Sequence, residues 1–244
     1  MRSAASNPRV LAPGPDDPEQ KHRIQAMFDD VAPRYDFLNH VLSAGVDILW
    51  RKRAVRALSL SAGDRVLDLC AGTGDLGFEA LKGAPGVTVV GLDLARNMLI
   101  RGETKRAGAE YLFVQGDAEQ IPLPDGSVDC ACVGFGIRNV GSLQDAFTET
   151  VRVLRPGGRF VILEFATPSN PLFRGVYHAY FHHVLPRVGG WISGRPDAYR
   201  YLPESVSRFP SPEALARLLR SCGFREATWS LQSGGIAALH VARR

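Results

Sequence analysis

Between Arg65 and Asp75 the sequence reads R-V-L-D-L-C and then A-G-T-G-D, a short apolar run of β-strand character that breaks on two glycines around Thr73. A backbone that must turn sharply and let a bulky ligand come close needs residues without side-chain obstruction. Nineteen residues after Gly74 a second apolar run, V-T-V-V-G-L-D, ends in Asp93. That spacing suits a carboxylate at the tip of the neighbouring strand, where it grips a pair of ribose hydroxyls. Together the two features point to a nucleoside ligand at the first strand-to-helix turn.

The detail of the turn says which nucleoside. Gly72, Gly74 and Gly77 formally match the G-x-G-x-x-G of a dinucleotide site, where the glycines seat a pyrophosphate on a helix N-terminus. Here Asp68 and Asp75 flank the loop and would set negative charge beside phosphate. They suit a cationic, phosphate-free nucleoside instead. S-adenosylmethionine, with its sulfonium and ammonium, is the cofactor expected.

With 244 residues, the chain has room for one well-buried α/β domain with some elaboration. Its 45% apolar and 22% charged content are ordinary for a globular protein. The net charge of +4 is scattered, whereas nucleic-acid binders concentrate it in runs, so no nucleic-acid partner is expected. Arg51, Lys52, Arg53 and Arg56 form the one basic cluster. It reads as a solvated helix face, with anionic lipid headgroups as the other reading. The four cysteines, Cys70, Cys130, Cys132 and Cys222, have neither a disulfide framework nor zinc-ligand spacing. No apolar leader is read at the N-terminus, and no stretch approaches the roughly 18 residues of a membrane span. The expected location is the cytoplasm, with peripheral contact at the inner membrane face left open.

Residues 1–19 lack periodicity and read as a disordered tail. Residues 20–244 read as a single domain. Its N-terminal helical cap, 20–60, carries Ile24, Met27, Phe28 and Val31 at helical spacing. Strand candidates then alternate with helices: Arg65–Cys70, Val87–Asp93, Tyr111–Gln115, Val128–Gly134 and Arg159–Phe165. Arg155–Gly158 reads as a turn into the last of these. This rhythm means a parallel sheet with crossover helices, and ligands in such sheets lie beyond the carboxyl ends of the strands. Asp68, Thr73, Asp93, Asp117 and Gly134 all fall at or just after those ends. Ser211-Pro212-Glu213 opens a further helix as N-cap, N1 and early acidic residue. Two final strands, Glu226–Leu231 and Ile236–Ala242, are joined closely enough to form a hairpin, which makes the last strand antiparallel. An insertion at 168–210 is rich in aromatics, suited to a second small core or to the wall of a flat apolar substrate site. His178, His182 and His183 lie within it but lack a carboxylate to complete a metal set.

Four segments then carry a resemblance: Y-D-F-L-N-H-V-L-S-A-G-V-D-I-L-W at 35–50, G-F-G-I-R-N-V at 134–140, R-V-L-R-P-G-G-R-F-V-I-L-E-F-A at 152–166 and Y-R-Y-L-P-E-S-V-S-R-F-P at 199–210. Over residues 21–244 the chain resembles the UbiE/MenG/Coq5 family of quinone C-methyltransferases. The resemblance implies the class I methyltransferase fold, a Rossmann-like α/β architecture whose seven-stranded, mostly parallel sheet carries helices on both faces. It implies methylation of a reduced polyprenyl quinone precursor, with S-adenosylmethionine as donor. It also implies cofactor contacts at Gly72 and Thr73 in the loop, Asp93 on the ribose, and Asp117 with Ala118 at the adenine. Leu38, Asp47, Arg155 and Ala166 depart from the common family residues, so no catalytic role is assigned to Asp47. Gly134 stands where ubiquinone-pathway members often carry Ser, which tilts the substrate toward demethylmenaquinol. Methylation of the 2-polyprenyl-6-methoxy-1,4-benzoquinol of ubiquinone biosynthesis is the alternative.

Carbon methylation requires a quinol whose phenolic proton is managed while ring carbon, methyl and sulfur are held in line. Arg138 is the expected stabiliser of the developing phenolate, Asn139 the group that orients the hydroxyl or a water, and Tyr35 a third catalytic candidate. Each has loop bracing as its alternative. No metal is needed. A methyltransferase acting on another small molecule or an RNA base, and a non-catalytic scaffold of a quinone-biosynthetic assembly, are the rival functions. Homodimerisation stays open.

Overall fold

The computed structural model describes residues 18–32, 43, 45–168, 175 and 196–244. Seven strands form one sheet: β1 Arg65–Leu69, β2 Thr88–Asp93, β3 Tyr111–Gln115, β4 Val128–Gly134, β5 Leu154–Phe165, β6 Glu226–Gln232 and β7 Ala237–Arg243. They lie in the order β3-β2-β1-β4-β5-β7-β6. The first five run parallel, while β7 is antiparallel to both β5 and β6. Val66, Leu67 and Leu69 of β1 and Ala131, Cys132 and Val133 of β4 are all fully buried, as central parallel strands covered on both faces require.

The covering helices are α1 Pro18–Val31, α2 Val46–Leu58, α3 Asp75–Ala80, α4 Arg96–Lys105, α5 Leu143–Val153, α6 Pro196–Arg208 and α7 Pro212–Ser221. Side chains cap α5 and α7: Ser142 accepts from the Asp145 amide at 3.2 Å and Ser211 from the Ala214 amide at 3.3 Å. Each satisfies one of the donors that a helix start leaves open. α5 and α7 cover one face, where Phe147, Leu215 and Leu219 meet Phe160, Ile162 and Phe224. α2 and α3 cover the other, where Trp50, Ala54, Leu58 and Leu76 meet Val66, Cys130, Phe135 and Leu163. The hairpin expected from Glu226 onward forms, but β7 enters the sheet between β5 and β6, leaving β6 at the edge.

Two boundaries differ from expectation. α1 begins at Pro18, inside the span read as tail, because proline at the first helical turn costs no hydrogen bond. Arg155–Gly158 is not a separate turn before the strand. β5 already pairs at Leu154 with Val128, then shifts register and resumes at Arg159 opposite Cys130. Gly157, at φ +80°, absorbs that irregularity.

Candidate functional site

The tips of β1 and β4 carry strained backbone. Cys70, just after β1, has φ +52° and Phe135, just after β4, has φ +59°, a region that residues other than glycine rarely occupy. Between them Gly136 leaves no room for a side chain, since a Cβ there would lie 2.5 Å from the Cβ of Cys70. Such outliers persist only where the surroundings over-determine them. Here they line an open cleft above the carboxyl ends of β1, β2 and β4.

The expected residues converge on this cleft. Gly72, Thr73, Asp93, Asp117, Ala118, Gly134 and Asn139 all line it. The Gly72 amide donates to Oδ2 of Asp93 at 2.8 Å and the Ala95 amide to Oδ1 at 2.8 Å. Each carboxylate oxygen keeps acceptor capacity toward the cleft, as a ribose diol needs. Burial raises the Asp93 carboxyl, and the backbone amides act against that rise.

Asp68 sits deeper. Its Oδ2 accepts from the Tyr111 hydroxyl at 2.7 Å and from the Gly77 amide at 2.9 Å. Burial raises its carboxyl to about 7, while these hydrogen bonds lower it. The third glycine of the formal dinucleotide pattern therefore serves a carboxylate rather than a phosphate. A Cβ on Gly77 would fall 2.4 Å from the Tyr111 hydroxyl, so Tyr111 reaches Asp68 only because residue 77 has no side chain.

The roof is α1. Lys21, Ile24, Gln25 and Phe28 line the cleft, and the helix is tied at both ends. Lys21 Nζ lies 3.1 Å from Asp117 Oδ2 and 2.6 Å from Glu119 Oε2. Asp29 accepts from the Asn97 amide at 2.7 Å, capping α4, whose own N-cap residue Ala95 has no side-chain cap. Burial lowers the Lys21 pKa, yet the two carboxylates prevail and the net shift is upward.

The turn Ile137–Asn139 separates the proposed catalytic pair. Arg138 is directed into a buried ion pair, with Nη1 2.9 Å from Glu164 Oε1, and its Nε donates to the Ser205 hydroxyl at 3.3 Å. Burial raises the Glu164 carboxyl and the Arg138 charge opposes it. This geometry favours the bracing alternative for Arg138. Asn139 does line the cleft, and its Oδ1 accepts from the buried Tyr201 hydroxyl at 3.0 Å. Tyr201 and Ser205, one turn apart on α6, thus engage consecutive residues of the turn. Tyr35 lies outside the described residues, as do His178, His182, His183 and most of the aromatics of the 168–210 segment.

Among the charged residues of the cleft, the sequence reading missed Lys21 and Glu119 and took Arg51 for part of a solvated helix face, whereas Asp75 was already read as flanking the loop. The acidic groups Asp68, Asp75, Asp93, Asp117 and Glu119 outnumber the cations Lys21 and Arg51 among the described residues of the cleft, a balance that fits a cationic ligand and rejects a pyrophosphate.

The model of the ubiE/COQ5 methyltransferase family matches residues 17–244. The chain belongs to that family. Among curated relatives, it is 47% identical over 220 residues to the demethylmenaquinone methyltransferase of Thermus thermophilus, covering 89% of this chain and 100% of the relative. It is 45% identical over 231 residues to the ubiquinone/menaquinone biosynthesis C-methyltransferase UbiE of Geobacter sulfurreducens, covering 93% and 90%. Among solved structures, a SAM-dependent methyltransferase from Thermotoga maritima superposes with a TM-score of 0.63 at 19% identity, covering 90% of this chain and 99% of that one. The [4+2]-cyclase SpnF gives a TM-score of 0.61 at 15% identity, covering 96% and 97%. Those two likenesses establish the class I methyltransferase fold, and the second shows that the fold alone does not fix the chemistry.

Proposed function

We propose that this member of the ubiE/COQ5 family methylates a ring carbon of a reduced polyprenyl quinone precursor, demethylmenaquinol in the first instance, in menaquinone biosynthesis. The observation that carries the reading is the family match across the whole described domain, joined to a cleft whose charge suits a sulfonium nucleoside. Methylation of the methoxybenzoquinol of ubiquinone biosynthesis is the second reading, favoured by the relatives named for both pathways.

S-adenosylmethionine, when bound, would supply an electrophilic methyl group whose leaving group is a neutral thioether. The residues that hold it are Gly72 and Thr73 in the loop, Asp93 at the ribose, and Asp117 with Ala118 at the adenine. The acceptor must lose its phenolic proton to push electron density onto the ring carbon, and the proton on that carbon leaves afterwards to restore the aromatic ring. Asn139 faces this task. Its amide oxygen is engaged by Tyr201, so what it offers the acceptor is the N–H₂ donor pair, suited to an oxygen on which charge develops. Arg138, held by Glu164, fixes the turn that presents Asn139. Tyr35 remains a candidate from the cap.

The acceptor is a lipid, and among the described residues no helix is long and apolar enough to cross a membrane. We take access to be by peripheral contact with the inner membrane face. Exposed Ile48 and Leu49 stand beside exposed Lys52 and Arg56 on α2, a mixture suited to an anionic bilayer surface. The test of function is methyl transfer in vitro to reduced demethylmenaquinone and to a reduced methoxybenzoquinol analogue. Transfer to the first is expected, and transfer to neither overturns the reading.

A further inference from the structure

The donor carries one group that the contacts above leave unanswered. Besides its sulfonium and ammonium, S-adenosylmethionine has an α-carboxylate, and most of the charged residues lining the cleft are acids that repel it. Lys21 and Arg51 are the cations available among the described lining residues. Lys21 is committed at the Asp117 end, within hydrogen-bond distance of two carboxylates. Neighbouring Ala118 and Ile121 belong to the core on the α5–α7 face of the sheet. Arg51 comes from α2 on the opposite face, and its guanidinium lies 5.9 Å from the centre of the Phe135 ring at the β4 tip. A ligand with its adenine at Asp117 and its ribose at Asp93 crosses the β1 tip and brings its amino-acid end to Arg51.

Arg51 is prepared for a second anion. It is buried, and Asp47, itself held by Ser43, pairs with its Nη1. The pair fixes the side chain before any ligand arrives. Its Nη2 lies 3.6 Å from Asp75, outside hydrogen-bond range, and Asp75 is claimed more closely by Lys105 at 2.7 Å. A guanidinium has five donors in a planar fork that matches a carboxylate. We infer that Arg51 is the receptor for the α-carboxylate of the cofactor's methionine portion, with Asp47 as the group that positions it. This rests on the cofactor reading above and names the one contact that reading lacked.

The test uses the whole chain and isothermal titration calorimetry with two ligands, S-adenosylmethionine and decarboxylated S-adenosylmethionine, which differ only in the carboxylate. Wild-type protein is expected to prefer the carboxylated ligand by at least about ten-fold, the size of one charge-assisted contact. Arg51→Gln is expected to abolish that preference while binding the decarboxylated ligand within about two-fold of wild type. Arg51→Lys should retain part of it. Because Arg51→Gln strands Asp47, the Asp47→Asn/Arg51→Gln pair is measured beside it, with the same loss of preference expected. A preference that survives in both variants overturns the assignment, as does an equal loss of affinity for both ligands, which marks a purely structural arginine. Failure of wild-type protein to bind either ligand overturns the cofactor reading beneath it.

Discussion

At the scale of single residues, Asp68 links stability to pH. Its carboxyl stands at about 7 when folded against 3.8 for an ordinary aspartate, chiefly through burial. A group that holds its proton more tightly in the folded chain contributes stability fully below its unfolded value, and that contribution is lost as pH rises through its folded value. Each unit of difference is worth about 1.4 kcal/mol. Denaturant titrations of the ligand-free protein should therefore show stability declining from about pH 4 to about pH 7, and Asp68→Asn should flatten that slope. An unchanged slope in the variant would place the dependence elsewhere. Tyr201 gives a second prediction. Tyr201→Phe removes only the hydroxyl that engages Asn139 and should lower kcat roughly five- to ten-fold, leaving cofactor affinity unchanged. In an Asn139→Ala background it should cost nothing further, since both changes disable one unit. Additive losses would separate the two residues.

At the scale of elements, α1 brings to the cleft, and α6 to the turn beside it, groups that no local pattern could announce. The tips of β1, β2 and β4 were legible because a strand ending in glycine or aspartate is written within a few consecutive residues. Lys21 meets Asp117 across 96 positions of sequence, and Arg138 meets Ser205 across 67. Lys21 and Ser205 are ordinary polar residues on ordinary helices. Only packing brings each to its partner, so the ion pairs that fasten the roof and the partners that brace the turn were invisible until the helices had places. Arg51 is the clearest case, since its charge reads as one of a solvated basic cluster, whereas its position on α2 turns it inward and Lys52 and Arg53 outward. The roof gives a prediction at its own scale. Lys21→Ala removes two partly exposed ion pairs, worth about 1 kcal/mol. Amide hydrogen exchange within Pro18–Val31 should quicken, and bound cofactor should dissociate faster in stopped-flow measurements. Unchanged exchange in α1 would mean that Asp29 and Phe28 suffice to hold it.

At the scale of the whole molecule, the sheet depends on its antiparallel strand. The alternation of apolar runs and glycine punctuation revealed seven strands and their approximate limits. The place of β7 was not legible, because a hairpin pattern fixes which strands pair and not which of the two faces the older sheet. β7 pairs with β5 from Arg159↔Arg243 to Phe165↔Ala237 and with β6 from Glu226↔Arg243 to Gln232↔Ala237. Deleting residues 237–244 should therefore leave β6 without a neighbour, uncover Phe160 and Leu163, and yield aggregated protein by size-exclusion chromatography. A soluble, cofactor-binding product would contradict this. The same arrangement bears on the order of assembly during synthesis. β6 leaves the ribosome before β7, yet in space β7 lies between β6 and everything already folded. The growing chain must hold an unpaired, tryptophan-bearing strand in waiting, and a chaperone that shields such edges would find its longest opportunity there.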